Sequence, residues 1–209
     1  MIKFIKVLCL TCVLGVSAFA QSNTDEYRKN EFYVGYSNQQ IDGGGYSTAN
    51  GFEGAYVRNV HRYFGIKADV SGAYRSSDFE VQGFDATSGN YTYRGSTDSQ
   101  LYNFLGGVQI KNNASKARFK PFGHVLAGVA VNRYKFSALT CTQGTCPGFV
   151  PNQAGSFNTK HFAMAGGGGL DIRINDKIDF RAIQVDYNPI WRGTNVQNNF
   201  RFGIGVVFK

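Results

Sequence analysis

The chain has 209 residues, a formal net charge of +8 and a mean hydropathy of -0.25. That length suits one domain, and 43% hydrophobic content speaks against disorder. The low hydropathy excludes a helical membrane bundle, the 26 glycines lack the period of collagen, and 15% aromatics favour strands over helices.

In chain order, the first element is an export signal. Lys3 and Lys6 precede an apolar run over residues 7–16, and Ser17-Ala18-Phe19-Ala20-Gln21 supplies an A-x-A cleavage site. The run is short for an anchor helix, which needs about 20 residues. Residues 1–20 are therefore expected to be cleaved after Ala20, and residues 21–30 to form a short periplasmic segment. Cys12 follows Cys9-Leu10-Thr11, which lacks the aliphatic-first, small-last context of a lipoprotein site. Cleavage removes Lys3 and Lys6, lowering the charge from +8 to +6, and removes Cys9 and Cys12. Cys141 and Cys146 remain, and in an exported chain this pair is expected to form a disulfide. Zinc is the alternative, but two thiols without nearby His ligands make a poor site.

Eight alternating segments follow. In residues 199–209, Phe200, Phe202, Ile204, Val206 and Phe208 share one face. Asn199, Arg201, Gly203, Gly205, Val207 and Lys209 take the other, because a strand sends successive side chains to opposite sides. The same alternation sets Phe32, Val34 and Tyr36 against Tyr33, Gly35 and Ser37, and Phe52, Gly54 and Tyr56 against Glu53, Ala55 and Val57. It recurs in residues 64–75, with Lys67, Asp69 and Ser71 on the polar face, and in residues 101–111, with Asn103, Gly107 and Gln109. Residues 119–132 present His124, Gly128 and Asn132; residues 160–174 present Gly167, Gly169, Asp171 and Arg173. Residues 178–187 set Gln184 and Asp186 against Ile183, Val185 and Tyr187, and a slip in parity near Arg181-Ala182 predicts a bulge.

Connections alternate in length. Residues 60–63, 112–118 and 175–177 are short; residues 40–50, 76–100, 133–159 and 188–198 are long. Short turns at one end and long loops at the other predict an all-β fold over residues 31–209, an eight-stranded antiparallel up-and-down transmembrane β-barrel. The apolar face carries two aromatic girdles. Tyr36, Phe52, Tyr74, Tyr102, Phe162, Tyr187 and Phe200 fall at the outer ends, and Phe32, Phe64, Phe119, Phe180 and Phe208 at the inner ends. A soluble sandwich has no reason to rim both strand ends this way, whereas a closed barrel pairs every backbone group in lipid.

On these features the chain resembles the small outer-membrane β-barrels of Gram-negative bacteria, the OmpA/OmpX-type eight-stranded barrels. The resemblance spans residues 21–209 and implies a porin-like outer-membrane location. It also implies that Arg201, Gly203, Val206 and Phe208 form the barrel assembly signal, although Lys209 follows the usual terminal aromatic. The barrel assembly machinery and outer-membrane lipid with lipopolysaccharide are the implied partners. A monomer is expected, without the peptidoglycan-binding domain of longer family members and without cofactors.

The lumen of eight strands is narrow enough for side chains to fill. The expected inward polar set is Glu53, Lys67, Asp69, His124, Asp171, Arg173, Asp186 and Arg201, with Arg201 bridging to Asp186 or Asp171. Buried charges of both signs must pair. A polar plug is the first reading; a narrow ion or solute path is the second, kept open by the room left at Gly166–Gly169. A lipid-A-modifying enzyme ranks third. Of the three His residues only His161 lies near the outer end, and Ser156 in the adjoining loop is not placed as its nucleophile. The run at residues 166–169 lacks the Lys and Ser/Thr of a phosphate loop and the run at residues 43–45 sits in a loop without a following helix, and scattered basic residues give no nucleic-acid stripe. Instead Arg75, Arg94, Arg133, Lys135, Lys160 and Arg192 lie where anionic headgroups or solvent would meet them, and Trp191 is expected to anchor at the interface. Together these readings favour a non-enzymatic integral barrel with an envelope-structural or loop-binding role.

Overall fold

Period-two alternation, with aromatic and β-branched residues on one face, commits each segment to a strand that must pair on both edges. The computed structural model describes residues 27–43, 45–87, 89–114, 116–137, 139–144 and 154–209. The expected leader, most of the 21–30 segment and Cys146 lie outside them.

The described residues form nine strands and no helix: β1 (Asn30–Asp42), β2 (Tyr46–Asn59), β3 (Phe64–Asp85), β4 (Gly89–Lys111), β5 (Phe119–Phe136), β6 (Thr140–Gln143), β7 (Gly155–Arg173), β8 (Ile178–Arg192) and β9 (Asn195–Phe208). Eight of them close antiparallel, each on its sequence neighbour except that β5 pairs with β7, and β1 closes on β9 through Phe32–Phe208 to Gln40–Phe200. The short β6 lies outside this ring, against Thr92, Tyr93 and Arg94 of β4. Registers run without a slip along β1 to β5. The exception in the ring lies on β8, where Leu170–Ile183 is followed by Asp171–Arg181 on one side and Arg181–Gly205 by Gln184–Gly203 on the other. Ala182 is thus the extra residue of a bulge, at the predicted slip in parity.

The long connections differ from expectation. Residues 76–100 are largely strand: β3 and β4 continue as a paired hairpin from Arg75–Ser99 to Asp85–Gly89, with Gly89 turning at φ 73°. Residues 40–50 and 188–198 are likewise mostly strand, turning near Gly43 and at Gly193. Alternation fades in these extensions because solvent wets both faces, so their sequence reads as loop while their backbone still pairs. Cys141 sits on β6.

The outward face keeps its girdles. Phe32, Tyr36, Phe52, Phe64, Phe119, Phe162 and Phe208 are all exposed. Neighbouring rings meet on it: Tyr74 and Tyr102 edge to face at 5.8 Å, Phe162 and Trp191 at 5.3 Å, Tyr187 and Phe200 at 5.6 Å.

Candidate functional site in the barrel lumen

Inward side chains stack in layers along the barrel axis. Toward the long-hairpin end Ala49, Ala73, Leu101, Leu105, Leu126, Ala130, Ala163, Ala165 and Ile190 form one buried apolar cluster. All nine are at most 4% exposed, and the inward amides Gln39, Asn103, Asn132, Asn188 and Asn199 are buried among them, so this half of the lumen is filled by apolar and amide side chains together.

The next layer is ionic and centres on Arg201 of β9. Its guanidinium donates to Asp69 Oδ1 at 2.8 Å, to Ser71 Oγ at 3.0 Å and to Asp186 Oδ2 at 2.6 and 3.0 Å. Glu53 Oε2 lies 3.6 Å from the same group. Lys67 Nζ stands 3.3 Å from Asp69 and 3.7 Å from Glu53. His124 reaches Asp186 through Nε2 at 2.9 Å and faces Lys67 through Nδ1 at 3.5 Å. Gln184 caps the layer from below, donating to Glu53 at 2.8 Å and to Asp186 at 2.7 Å.

A second ionic layer follows toward the short-turn end. Arg181 donates to Asp171 at 2.8 and 3.3 Å and to Gln184 Oε1 at 2.8 Å, joining the two layers. Its guanidinium lies between two rings, 4.3 Å from Tyr33 and 3.9 Å from Phe122, in cation–π contact with each. Lys111 bridges Glu31 at 2.5 Å and Asp171 at 3.3 Å. At the mouth, Asp179 takes Lys209 at 2.5 Å and Lys120 at 3.8 Å. Buried carboxylates and buried cations match six to six: Glu31, Glu53, Asp69, Asp171, Asp179 and Asp186 against Lys67, Lys111, Lys120, Arg181, Arg201 and Lys209. That parity is what a low-dielectric interior requires.

Seven of the eight expected lumen residues meet in these layers. Arg173 does not. It lies at the end of β7, its guanidinium bonded to Asp176 and, at 3.0 Å, to the carbonyl of Lys116. Residue 173 has the inward parity, but the strand ends there and water solvates the charge better than the lumen does. The hydrogen bond from Arg173 holds the Asp176 carboxyl below its ordinary range. Arg201 bridges Asp186, as expected; Asp171 is taken by Arg181 instead.

Reading the sequence missed Glu31, Lys111, Arg181, Lys120 and Asp179. Glu31 and Lys111 stand one inward step beyond the residues assigned, and continuing the parity past the strand ends finds both. Arg181 stands at the bulge, where parity is ambiguous. The Gly166–Gly169 run does not leave a void. A Cβ on Gly167 would meet the Asp186 carboxylate at 2.3 Å, and one on Gly169 the Phe122 ring at 2.9 Å, so these glycines admit the ionic and aromatic groups. His161 and Ser156 stand on opposite faces of β7, roughly 16 Å apart along the strand. Among the described residues no group of His, Cys, Asp and Glu has the arrangement of a metal site. Of the assembly-signal residues, Arg201 is buried in the ionic layer, while Phe208 projects outward beside β1.

The family model of the outer membrane protein beta-barrel domain matches residues 7–208. Similar solved structures include the attachment invasion locus protein Ail of Yersinia pestis, 15% identical at a TM-score of 0.51 over 86% of this chain and 97% of that one. Neisserial surface protein A is 10% identical at a TM-score of 0.51, over 87% of this chain and 97% of that one. At these identities the likeness concerns the fold. A comparison with curated proteins gave no match.

Proposed function

Because the chain belongs to the outer membrane protein beta-barrel family, we propose that this integral outer-membrane barrel is closed by its own side chains and serves the envelope without catalysis. Its body spans the outer membrane of a Gram-negative bacterium, and its work is done by that body and by the extracellular hairpins. The observation that carries the reading is the stacking of a layer of apolar and amide side chains on two ionic layers. An ion entering from outside would have to cross a lumen filled by packed Leu, Ala, Asn and Gln side chains, too narrow to pass it with its hydration shell. It would then have to part Arg201 from Asp69 and Asp186, where each broken buried pair costs several kcal/mol.

Cys141 and Cys146 form a staple in the third extracellular connection, the barrel assembly machinery recognises the β9 end, and lipid with lipopolysaccharide surrounds a monomer. The test is conductance of the refolded chain, residues 21–209, in a planar bilayer. Absence of channel activity is expected. Reproducible single-channel steps would overturn the closed lumen and make the barrel a passive pore for ions or small solutes.

A further inference from the structure

We propose that the periplasmic rim of the barrel is a binding belt for anionic phospholipid of the inner leaflet, centred on a cleft at the β4–β5 hairpin. The charge of the chain is unevenly distributed along the barrel axis. The lumen is balanced, six against six. The extracellular half is nearly balanced, with Arg75, Arg94, Arg133, Lys135, Lys160 and Arg192 against Asp42, Asp78, Glu80, Asp85 and Asp98. The surplus stands at the short-turn end. Arg28 and Lys29 precede β1, and Arg58 and Arg62 flank the first turn. Lys116 and Arg118 lie in the second turn, Arg173 and Lys177 at the third. Among the described residues the exposed side-chain carboxylate at this end is Asp176, which Arg173 already holds. Asp25 and Glu26 stand upstream in the sequence, too few to cancel the excess.

These cations are fixed in a ring by main-chain bonds between successive turns. Asn59 N donates to Lys29 O at 2.8 Å, Asn113 N to Arg62 O at 2.9 Å, Arg173 N to Arg118 O at 2.7 Å, and Lys209 N to Lys177 O at 2.9 Å. They also alternate with outward apolar side chains: Arg58 follows Tyr56, Arg62 lies 5.4 Å from the Tyr63 ring, and Arg118 precedes Phe119. A side chain set between lipid-facing aromatics lies at headgroup depth, where phosphate is. A soluble periplasmic polyanion would need the charge but not the aromatic spacing.

The cleft gives the belt a site for one lipid. Pairing of β4 with β5 stops at Lys111–Phe122, and the two chains part toward the turn. Tyr63, Ile110, Phe119 and Pro121 line the resulting cavity of about 460 Å³; Lys111 and Lys120 also border it, their ammonium groups held by carboxylates of the lumen. The Lys111 N–H donates to Tyr63 O at 3.0 Å, which seats the Arg62-Tyr63 turn against the cleft. Apolar walls suit the start of an acyl chain, and Arg62 and Arg118 flank them as phosphate partners.

The belt shares with the closed-lumen reading only the membrane placement, so a conducting barrel would leave it intact. Its test is native mass spectrometry of the refolded chain, residues 21–209, from micelles doped with equal phosphatidylglycerol and phosphatidylcholine. Wild type is expected to retain phosphatidylglycerol preferentially. The Arg62→Gln/Arg118→Gln variant is expected to retain it roughly tenfold less, since each basic group at a membrane surface contributes severalfold. The extracellular Arg75→Gln/Arg133→Gln variant is expected to match wild type. Both variants must first show the folded, heat-modifiable band on a gel. Equal retention of both lipids by wild type would overturn the proposal, as would an unchanged inner-rim variant. Displacement of phosphatidylglycerol by soluble polyphosphate at equal phosphate would also overturn it, assigning the belt to polyanions in general.

Discussion

Arg201 and Arg173 share a residue type and an inward parity, yet they make opposite demands on the fold. Arg201 is 1% exposed and is held by Asp69 and Asp186. Arg201→Met leaves those carboxylates buried without their partner, which should lower the unfolding free energy by about 3–5 kcal/mol. Arg173→Met removes a solvated turn contact and should leave it nearly unchanged. The measurement is a urea titration in lipid vesicles, read by the fluorescence of Trp191, the single tryptophan. Equal destabilisation by the two substitutions would contradict the assignment of Arg201 to the core and Arg173 to the rim. Parity alone placed both residues in the lumen. What parity lacks is depth: the end of β7 is a property of the backbone register, and nothing in the local alternation marks it. The same gap hid Leu101, Leu105 and Leu126, because an apolar residue facing the lumen looks in sequence like one facing lipid.

At the scale of a strand, the glycines of β4 separate the two faces. Gly106 points outward, and a Cβ there would come no nearer than 3.9 Å to Lys67 O. Gly107 points inward, and its Cβ would meet Val125 O at 2.1 Å. Gly106→Ala should therefore fold as wild type, whereas Gly107→Ala should force β4 from β5 and slow or abolish appearance of the folded band in a refolding time course. The projecting hairpin makes the opposite case. Beyond Arg75 and Ser99, β3 and β4 pair mainly with each other, and β6 adds a short third strand. Replacing residues 78–96 by Asn-Gly between Ser77 and Thr97, which already pair, keeps a two-residue hairpin turn. The shortened barrel should keep the urea midpoint of wild type; a lower midpoint would mean the hairpin supports the membrane part. Strand identity, order and the bulge at Ala182 were legible from alternation and from its single slip. The hairpin extensions were not, since pairing without a buried face leaves no period to read.

Closure is a property of the whole molecule, and it unites the layers. The β1–β9 seam runs from Phe32–Phe208 to Gln40–Phe200, so no strand edge is left open in the lipid-facing part. Every lumen charge is supplied by a different strand from its partner's in at least one contact: Arg201 on β9 reaches β3 and β8, Lys111 on β4 reaches β1 and β7. The interior thus ties distant strands across the lumen while the ladder ties neighbours around it. Such a barrel in detergent should resist dodecyl sulfate until boiled, and the unboiled chain should migrate differently from the boiled one, with a β-type circular dichroism spectrum. Pairing across the lumen also predicts how resistance fails. Arg201→Met should lower the temperature at which the two bands interconvert, and Arg181→Met, which removes the contacts to Asp171, Tyr33 and Phe122, should do the same. If both variants kept the wild-type conversion temperature, the backbone ladder alone would account for the stability of the barrel. The ionic layers would then serve to fill the lumen rather than to hold it closed.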